Sequence, residues 1–288
     1  MARSSSHKFG QMIGDMLEHL MVGELQPIAE EYGMYLDYKH KRKARNNKKE
    51  VTWSDNNGNK HKLDIVIEAE GSEEKFGYPK AFVELAWRRY TKHSKNKAQE
   101  IAGAILPLVK ANNQYSPFYG VILAGEFTKP ALEQLRSQGF KVLYFSINTI
   151  VEAFRVNGMH IEWEEDTEDY IFDQYIQELS SWGRDQINSF LSFILESCEN
   201  EIDEFKEALS DCFSRAIKRI RVFTLHGISI DLDSVREAIQ YVTNYDEKKL
   251  ESGKLVKYEI YIKYNNGDSI EVEYKEKRDV IRFLQNLV

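Results

Sequence analysis

The chain has 288 residues, of which 42% are hydrophobic and 30% charged, the balance of a globular protein of about two domains. The longest apolar run, over residues 101–109, covers about half a bilayer and the N-terminus lacks a secretory pattern, so we expect no membrane span and a cytoplasmic protein. Cys198 and Cys212 lack metal-ligand spacing, which argues against a zinc site or a disulfide scaffold.

The net charge of −7 conceals an uneven distribution along the chain. Residues 1–157 hold 23 Lys and Arg against 18 Asp and Glu, whereas residues 158–288 hold 16 against 28. Most of the excess acid lies in residues 158–222, with 6 basic and 16 acidic side chains. Such asymmetry indicates that the parts of the chain have different roles.

Residues 1–157 have the pattern of an α/β domain. Apolar residues at helical spacing predict a first helix over 9–36, with a kink at Pro27. A run over 39–49 follows, with seven Lys and Arg and no acid. Periodicity and turn signals then predict a meander of strands (51–54, 62–70, 81–87), a helix (95–110), a strand (119–124), a helix (130–138), a strand (141–145) and a helix (147–154). This order predicts a mixed sheet with helices on both faces.

The remaining residues form two further segments, with no internal repeat that we detect. Residues 158–222 show helical patterns over 170–179 and 186–221 and no convincing strand. Residues 223–288 return to an α/β pattern, with a strand, a helix (233–245), a strand (256–264), an Asn-Gly turn, a strand (269–275) and a helix (279–287). We therefore expect three regions: a domain over 1–157, an acidic helical region over 158–222 and a small α/β domain over 223–288.

Two acidic residues in the meander are the candidates for chemistry. If the second and third strands form a hairpin centred near residue 74, Asp64 faces Glu84 with the Cβ atoms about 5 Å apart. Glu84 also lies in an apolar run, where a carboxylate without a partner is costly. Two adjacent carboxylates repel each other unless a cation lies between them, and Mg²⁺ suits oxygen ligands. The pattern therefore predicts a divalent metal held by Asp64 and Glu84; Glu68 and Glu70 are rival acids on the same strand face.

Basic residues near these acids suit a phosphate-bearing ligand. Arg88, Arg89 and Lys92 directly follow the third strand, so we expect them to bind DNA. The basic run over 39–49 is a second candidate for backbone phosphate contacts, with a solvated loop as the alternative interpretation.

The element order, with Asp64 followed by Glu84 at the end of the third strand, resembles the PD-(D/E)XK nuclease superfamily over about residues 7–150. Restriction endonucleases, Holliday-junction resolvases and RecB-type nucleases belong to it. The resemblance implies a restriction-endonuclease-like mixed central sheet flanked by helices, with Mg²⁺ bound by the two acids and hydrolysis of DNA phosphodiesters. It also implies a site role for Gln99, which matches a glutamine on the following helix of RecB-like members.

The chain departs from the family where Ala86 replaces the motif lysine. Lys62 would face Ala86 across the predicted hairpin and could supply an amine there. Lys97 lies within about 60° of the centre of its helix's apolar face, so it points toward the sheet. We favour Lys97 and keep Lys62 as the alternative. Glu18 or Glu24 on the first helix could complete the site.

These features predict a Mg²⁺-dependent DNA endonuclease, of the restriction or phage-defence kind. Because Ala86 replaces the motif lysine, the alternative is a catalytically inactive nuclease-fold module that binds nucleic acid or serves in assembly. A third interpretation is an interaction factor whose acidic helices bind a basic partner. Cutting both strands would favour a homodimer, for which the helical region over 158–222 is the candidate interface. We expect DNA on residues 1–157, away from the acidic helices.

Overall fold

The chain is a mixed α/β protein made of two compact units. The computed structural model describes residues 4–164, 166–225, 227–248 and 255–287. The first unit combines Met1–Leu108 with Phe118–Ser210, and the second combines Val109–Pro117 with Asp211–Val288. The acidic helices thus group with the first unit, which differs from the expected three-part division at residues 157 and 222.

The first unit contains a five-stranded sheet, a small hairpin and most of the helices. Its strands are β1 (Tyr35–Asp37), β2 (Val51–Ser54), β3 (Lys60–Leu63), β4 (Ile65–Ala69), β5 (Tyr78–Arg88), β6 (Phe118–Gly125) and β7 (Lys141–Ser146). Its helices are α1 (Ser5–Glu31), α2 (Ser94–Ala111), α3 (Lys129–Ser137), α4 (Ile147–Val156), α5 (Asp169–Ser181), α6 (Arg184–Ser197) and α7 (Glu199–Ser214), of which α2 and α7 end in the second unit.

The central sheet has the strand order β1-β4-β5-β6-β7. The β1, β4 and β5 strands pair antiparallel, whereas β5, β6 and β7 are parallel and joined by helical crossovers. Ile65, Val66 and Ile67 of β4 and the 120–125 stretch of β6 are buried, as expected for strands covered on both faces. The predicted mixed sheet with flanking helices is confirmed.

The predicted strand over 62–70 is interrupted at Asp64. The segment before the break, β3, pairs with β2 in a separate two-stranded hairpin, and only β4 joins the central sheet. The predicted meander of three strands is therefore wrong, because the first of its strands never reaches the sheet. The position next to β4 belongs instead to β1.

The predicted first helix overlaps the observed strand β1. The helix ends at Glu31 rather than at residue 36, and β1 follows it. Pro27 lies inside α1 without ending it. A turn with Gly33 at φ +63 separates the helix from the strand. The apolar residues of the helix bury one face against the sheet, and Gly10 lies where a Cβ would come within 3.1 Å of the Trp87 ring, so α1 passes close over β5.

The acidic helices bury their apolar faces inside the first unit. Phe172 of α5 contacts Phe9 of α1 with ring centroids 6.2 Å apart, and Phe190 of α6 contacts Phe154 of α4 at 4.6 Å. Phe205 of α7 packs against β6. Apolar residues of these helices are thus used in packing within the first unit.

The second unit contains an antiparallel sheet of order β11-β10-β8-β9 and two helices. Its elements are β8 (Ile217–Thr224), β9 (Ile228–Leu232), α8 (Val235–Asn244), β10 (Tyr258–Tyr264), β11 (Ser269–Tyr274) and α9 (Lys277–Gln285). The helical pattern predicted over 186–221 is wrong at its end, because residues from Ile217 onward form β8.

This unit is an internal ββα repeat that the sequence reading missed. The hairpin register of β8 and β9 (Ile220 opposite Leu232) recurs forty residues later in β10 and β11 (Ile260 opposite Val272). The turn glycines Gly227 and Gly267 also correspond, with φ of +93 and +99. The two halves share few identical residues, so the repeat shows in backbone geometry and not in sequence similarity.

Candidate functional site

Asp64 occupies the break between β3 and β4 and faces Glu84 of β5. The pairs Ile65–Val83, Val66–Phe82 and Ile67–Ala81 set the register that the sequence predicted. The Oδ2 atom of Asp64 accepts a hydrogen bond of 2.7 Å from the backbone N–H of Leu85. Asp64 therefore leaves the strand ladder but remains tied to β5 beside Glu84.

Glu84 carries a carboxylate oxygen with no hydrogen-bond partner among the described residues. The side chain is half-buried, while its Oε2 atom is shielded from solvent. Burial, and then the nearby charge of Asp64, raise the pKa of Glu84 to about 8, while Lys97 opposes the shift. Burial also raises the pKa of Asp64, against the Leu85 N–H and the charge of Lys97. Because buried polar atoms are almost always satisfied, this oxygen is a candidate contact for a ligand.

Glu18 of α1 is the third acid of the site. A cavity of about 210 Å³ is lined by Glu18, Asp64, Lys39 and Ala86, among others. Burial, followed by the charge of Asp64, raises the pKa of Glu18 to about 7, and Lys39 opposes the shift. Glu24 instead forms an ion pair of 2.8 Å with Lys206. Of the two acids left open by the sequence, the structure therefore brings Glu18 to Asp64.

The lysines divide between two sides of Asp64. Lys97 is only 13% exposed, and its Nζ lies 2.8 Å from Glu100 Oε1. Its positive charge lowers the pKa of both Asp64 and Glu84. Lys39 lines the cavity on the Glu18 side, a position that the sequence did not indicate because the preceding strand β1 was read as helix. Two amines therefore flank the acids in place of a lysine at position 86.

Lys62 is not a source of the missing amine. It lies on β3, outside the central sheet, with a side chain 74% exposed and its Nζ 3.1 Å from Glu50 Oε2. The prediction that Lys62 faces Ala86 assumed one continuous strand. The break at Asp64 turns β3 toward β2 instead.

Gln99 is not brought to the acids. Its side chain is exposed on α2, and within the described residues it makes no hydrogen bond with Asp64 or Glu84. The next residue, Glu100, is the one that contacts Lys97 and raises the pKa of Glu84.

The rival acids also lie outside the site. Glu68 is fully buried and receives hydrogen bonds of 2.6 and 3.0 Å from the Arg42 guanidinium. Glu70 is exposed at the end of the strand, with φ of +57. A bulge between Ile67 and Glu68 shifts the register of this part of β4 relative to β5.

Two of the predicted DNA-binding residues line a cavity at the end of β5. The cavity, of about 600 Å³, is formed by Arg88, Arg89 and the first turns of α1. Arg88 Nε and Arg89 Nη1 are buried without hydrogen-bond partners among the described residues. The Arg89 guanidinium lies over the rings of Tyr90 and Phe172, at 4.3 and 4.4 Å. Lys92 is exposed on the following turn.

The basic run over 39–49 is partly structural. Arg42 is fully buried, with hydrogen bonds to Asp37, Glu68 and the carbonyls of the 72–75 turn. Arg45 is also buried and bonds to Asp37 and to four backbone carbonyls nearby. The exposed basic residues of this run are all lysines, so its arginines hold the loop in place while its lysines present amines to solvent.

Three neighbouring cavities lie along α1 and share lining residues, and we call them together the groove. The 600 Å³ cavity shares Gln11 and Trp87 with the 210 Å³ cavity. The 210 Å³ cavity in turn shares Asp15, Glu18 and Lys39 with a third of about 710 Å³. Asp64 thus lies at the centre of the groove, with arginines toward one end.

The carboxylates are of the type that hard divalent cations take as ligands. Asp64 is bonded to the residue after Glu84 and its charge acts on Glu84, whose Oε2 atom has no partner among the described residues. These donors fit a hard cation such as Mg²⁺. Within the described residues, no group of three or more His, Cys, Asp and Glu is arranged as a metal site by itself.

Comparisons with known proteins leave the family of the chain open. No protein-family model matches it, and no curated protein matches it. A matching solved structure is that of a protein of unknown function, AF1548, which is 14% identical, covers 67% of this chain and 97% of that chain, and has a TM-score of 0.31. In the described part of the chain, no helix has the length and apolar composition to cross a bilayer.

Proposed function

We propose that this chain is a Mg²⁺-dependent endonuclease with a restriction-endonuclease-like first unit that hydrolyses phosphodiester bonds of DNA. The observation that carries the proposal is the pairing of Asp64 with Glu84 in the groove, next to a lysine, where one Glu84 oxygen has no hydrogen-bond partner in the part of the chain that the structure describes. Buried acids with raised pKa values next to a cation in a cleft are a feature of functional sites.

The acids and the lysine of the site have different roles in the proposed hydrolysis. Asp64 and Glu84 would hold Mg²⁺, with Glu18 across the cavity. A metal bound there supplies charge for the phosphate and acidifies a water molecule. Lys97 favours the ionised form of the two carboxylates, because its positive charge opposes the rise in their pKa values. The amine also stabilises the negative charge that develops on the phosphate oxygens.

The groove supports DNA as the substrate. Arg88 and Arg89 offer guanidinium groups that bind phosphate oxygens in a bidentate way. The cavity they line adjoins the one that contains Asp64, so a strand bound by the arginines leads to the acids. Contacts of this kind position the backbone without reading its sequence.

The test is cleavage of plasmid and phage DNA with Mg²⁺ or with EDTA. We expect metal-dependent cutting that Asp64→Asn and Glu84→Gln each abolish, while Glu70→Gln leaves the rate unchanged. Glu70 is a matched control because it is an exposed acid at the end of the same strand. Cutting by both site variants at the wild-type rate would refute the site.

A second candidate is a catalytically inactive nuclease-fold module that binds nucleic acid. The observation in its favour is Ala86, a side chain without an amine where the PD-(D/E)XK motif has lysine. DNA binding without cutting of methylated, unmethylated, supercoiled or branched substrates would favour this candidate.

We further propose that the nuclease serves restriction or phage defence in the cytoplasm. Cells that carry the wild-type gene should resist phage, and cells that carry Asp64→Asn should not. The measurement is the plating efficiency of a phage panel on the two strains, with equal amounts of each protein verified. Equal plating would exclude the defence role for those phages and leave the nuclease proposal to the cleavage test.

A further inference from the structure

The 710 Å³ cavity lies beyond the acids, on the side of the groove away from Arg88 and Arg89. The cavity runs along the second half of α1. In this part of the helix, Gly23 lies five residues after Glu18, about 7.5 Å further along the helix axis. It shares Lys39 and Glu18 with the cavity that contains Asp64. A ligand bound at the acids can therefore extend into it.

Aromatic side chains form one wall of this cavity. The rings of Tyr38 and His40 lie with centroids 4.6 Å apart, and both are half-buried. The Tyr35 hydroxyl donates to Glu73 and lies 3.2 Å from His40 Nε2, while the Arg42 guanidinium stacks on the Tyr35 ring at 4.4 Å. The wall is therefore held in place before any ligand binds.

Gly23 lines the same cavity from α1. In the described part of the chain, no atom beyond its own helix turn and chain neighbours lies within 4 Å of a Cβ placed at this exposed glycine. The volume of the cavity is in the range of pockets that hold small molecules. Aromatic faces stack with any base, and the Lys39 amine stands where a linking phosphate would pass between this cavity and Asp64.

We propose that this cavity binds an unpaired nucleotide next to the phosphate that is cut. A base in a duplex is stacked and paired, so it reaches the cavity only after leaving the helix. The substrate class is therefore single-stranded or locally unpaired DNA. This inference rests on the proposed nuclease function and adds to it the kind of strand that the site accepts.

The test is binding of short single strands that contain 2-aminopurine, measured by fluorescence in EDTA so that no cutting occurs. We expect quenching of 2-aminopurine in the single strand and none in the matched blunt duplex. Gly23→Leu should weaken single-strand binding about fivefold or more, because stacking of one base is lost. Gly103→Leu should not, since Gly103 is an equally exposed and open helical glycine on α2, outside this cavity.

A second variant tests the same cavity without changing Gly23. Tyr38→Leu removes a ring of the stacking wall and should weaken single-strand binding in the same direction as Gly23→Leu. Equal affinities for the wild type, both of these variants and Gly103→Leu would overturn the proposal even if the protein cuts DNA. If the wild type cuts no DNA but its binding still depends on Gly23 and Tyr38, the nuclease function fails and the nucleotide pocket stands.

Discussion

The ionisation of the Glu84 carboxylate makes the stability of the folded protein depend on pH. Its pKa is raised from 4.5 to about 8 in the folded chain, first by burial and then by Asp64. Between these values the folded protein holds a proton that the unfolded chain releases. The contribution of Glu84 to stability is therefore complete below pH 4.5 and is lost as pH rises toward about 8.

Glu84→Gln should flatten this pH dependence in metal-free buffer. We expect the variant to gain about 2 kcal/mol over the wild type at pH 8.5, because an uncharged amide avoids the cost of a buried carboxylate. The gain should shrink as the pH falls to 5.5. Urea unfolding across this range is the measurement, with the exposed Glu31→Gln as control. Parallel curves for the wild type and Glu84→Gln would contradict the raised pKa.

Lys97 should affect the rate of DNA cleavage through the positive charge of its amine. Lys97→Met should lower kcat by about 100-fold or more, the cost of losing a group that stabilises transition-state charge. It should also move the rising limb of the pH–rate profile upward, because Lys97 lowers the pKa of Asp64 and Glu84. Lys95→Met is the control, since Lys95 is exposed on the same helix turn. A normal profile in Lys97→Met, with activity lost in Lys39→Met, would assign the amine to Lys39.

At the scale of elements, one buried arginine holds together the loops at the edge of the sheet. Arg42 follows β1 and binds Asp37 of that strand, Glu68 of β4 and the carbonyls of Ser72 and Lys75 in the turn before β5. It thereby fixes the loop that carries Lys39 and the aromatic wall. Part of the basic run thus supports the groove and is not itself available for phosphate.

Arg42→Met should destabilise the protein by about 3–5 kcal/mol, because it leaves Glu68 buried without a cation, whereas Asp37 keeps its bond to Arg45. Lys43→Met should cost about 1 kcal/mol or less, since the Lys43–Glu74 pair is exposed. Urea unfolding of the two variants is the measurement. Equal and small losses in both would show that the buried network contributes little.

The break at Asp64 explains where element prediction succeeded and where it did not. The hairpin centred near residue 74 predicted the register of β4 against β5, and the observed pairs from Ile65–Val83 to Ile67–Ala81 have that register. The residues just before the break also have the sequence pattern of a strand, so the sequence does not reveal that the strand is interrupted. The interruption depends on pairing with β2 and on the Leu85 N–H, both of which are contacts with other parts of the chain.

At the scale of the whole molecule, the charge does not divide as the sequence suggested. The first unit contains 24 Lys and Arg against 33 Asp and Glu, and the second 15 against 13. The acidic helices belong to the same unit as the basic segments, so that unit is net negative. Attraction of DNA must therefore come from local groups in the groove and not from the overall charge of a module.

Arg88→Gln should weaken DNA binding and reduce the slope of log affinity against log salt by about 1. Arg278→Gln removes the same charge from an exposed side chain of the second unit and should leave the slope unchanged. The measurement is fluorescence anisotropy of a labelled duplex and a labelled single strand over a salt series. An equal change in both variants would indicate that total charge, and not the groove, attracts DNA.

The sequence by itself determined the local structure and the central pair of acids. Helices and strands such as α2, β6 and β7 follow from periodicity, because the residues that form the buried face of each element lie close together in the sequence. The pairing of Asp64 with Glu84 follows from a hairpin centred near residue 74, whose predicted register matches the observed one.

Only the tertiary structure decided which distant residues join that pair. Glu18, Lys39 and Lys97 come from three separate segments, and the distances among them depend on how α1 and α2 pack on the sheet. The grouping of the acidic helices with the first unit and the ββα repeat of the second likewise depend on long-range contacts. Such contacts leave no periodic signal in the chain, because they join residues whose spacing in sequence is unrelated to their spacing in the fold.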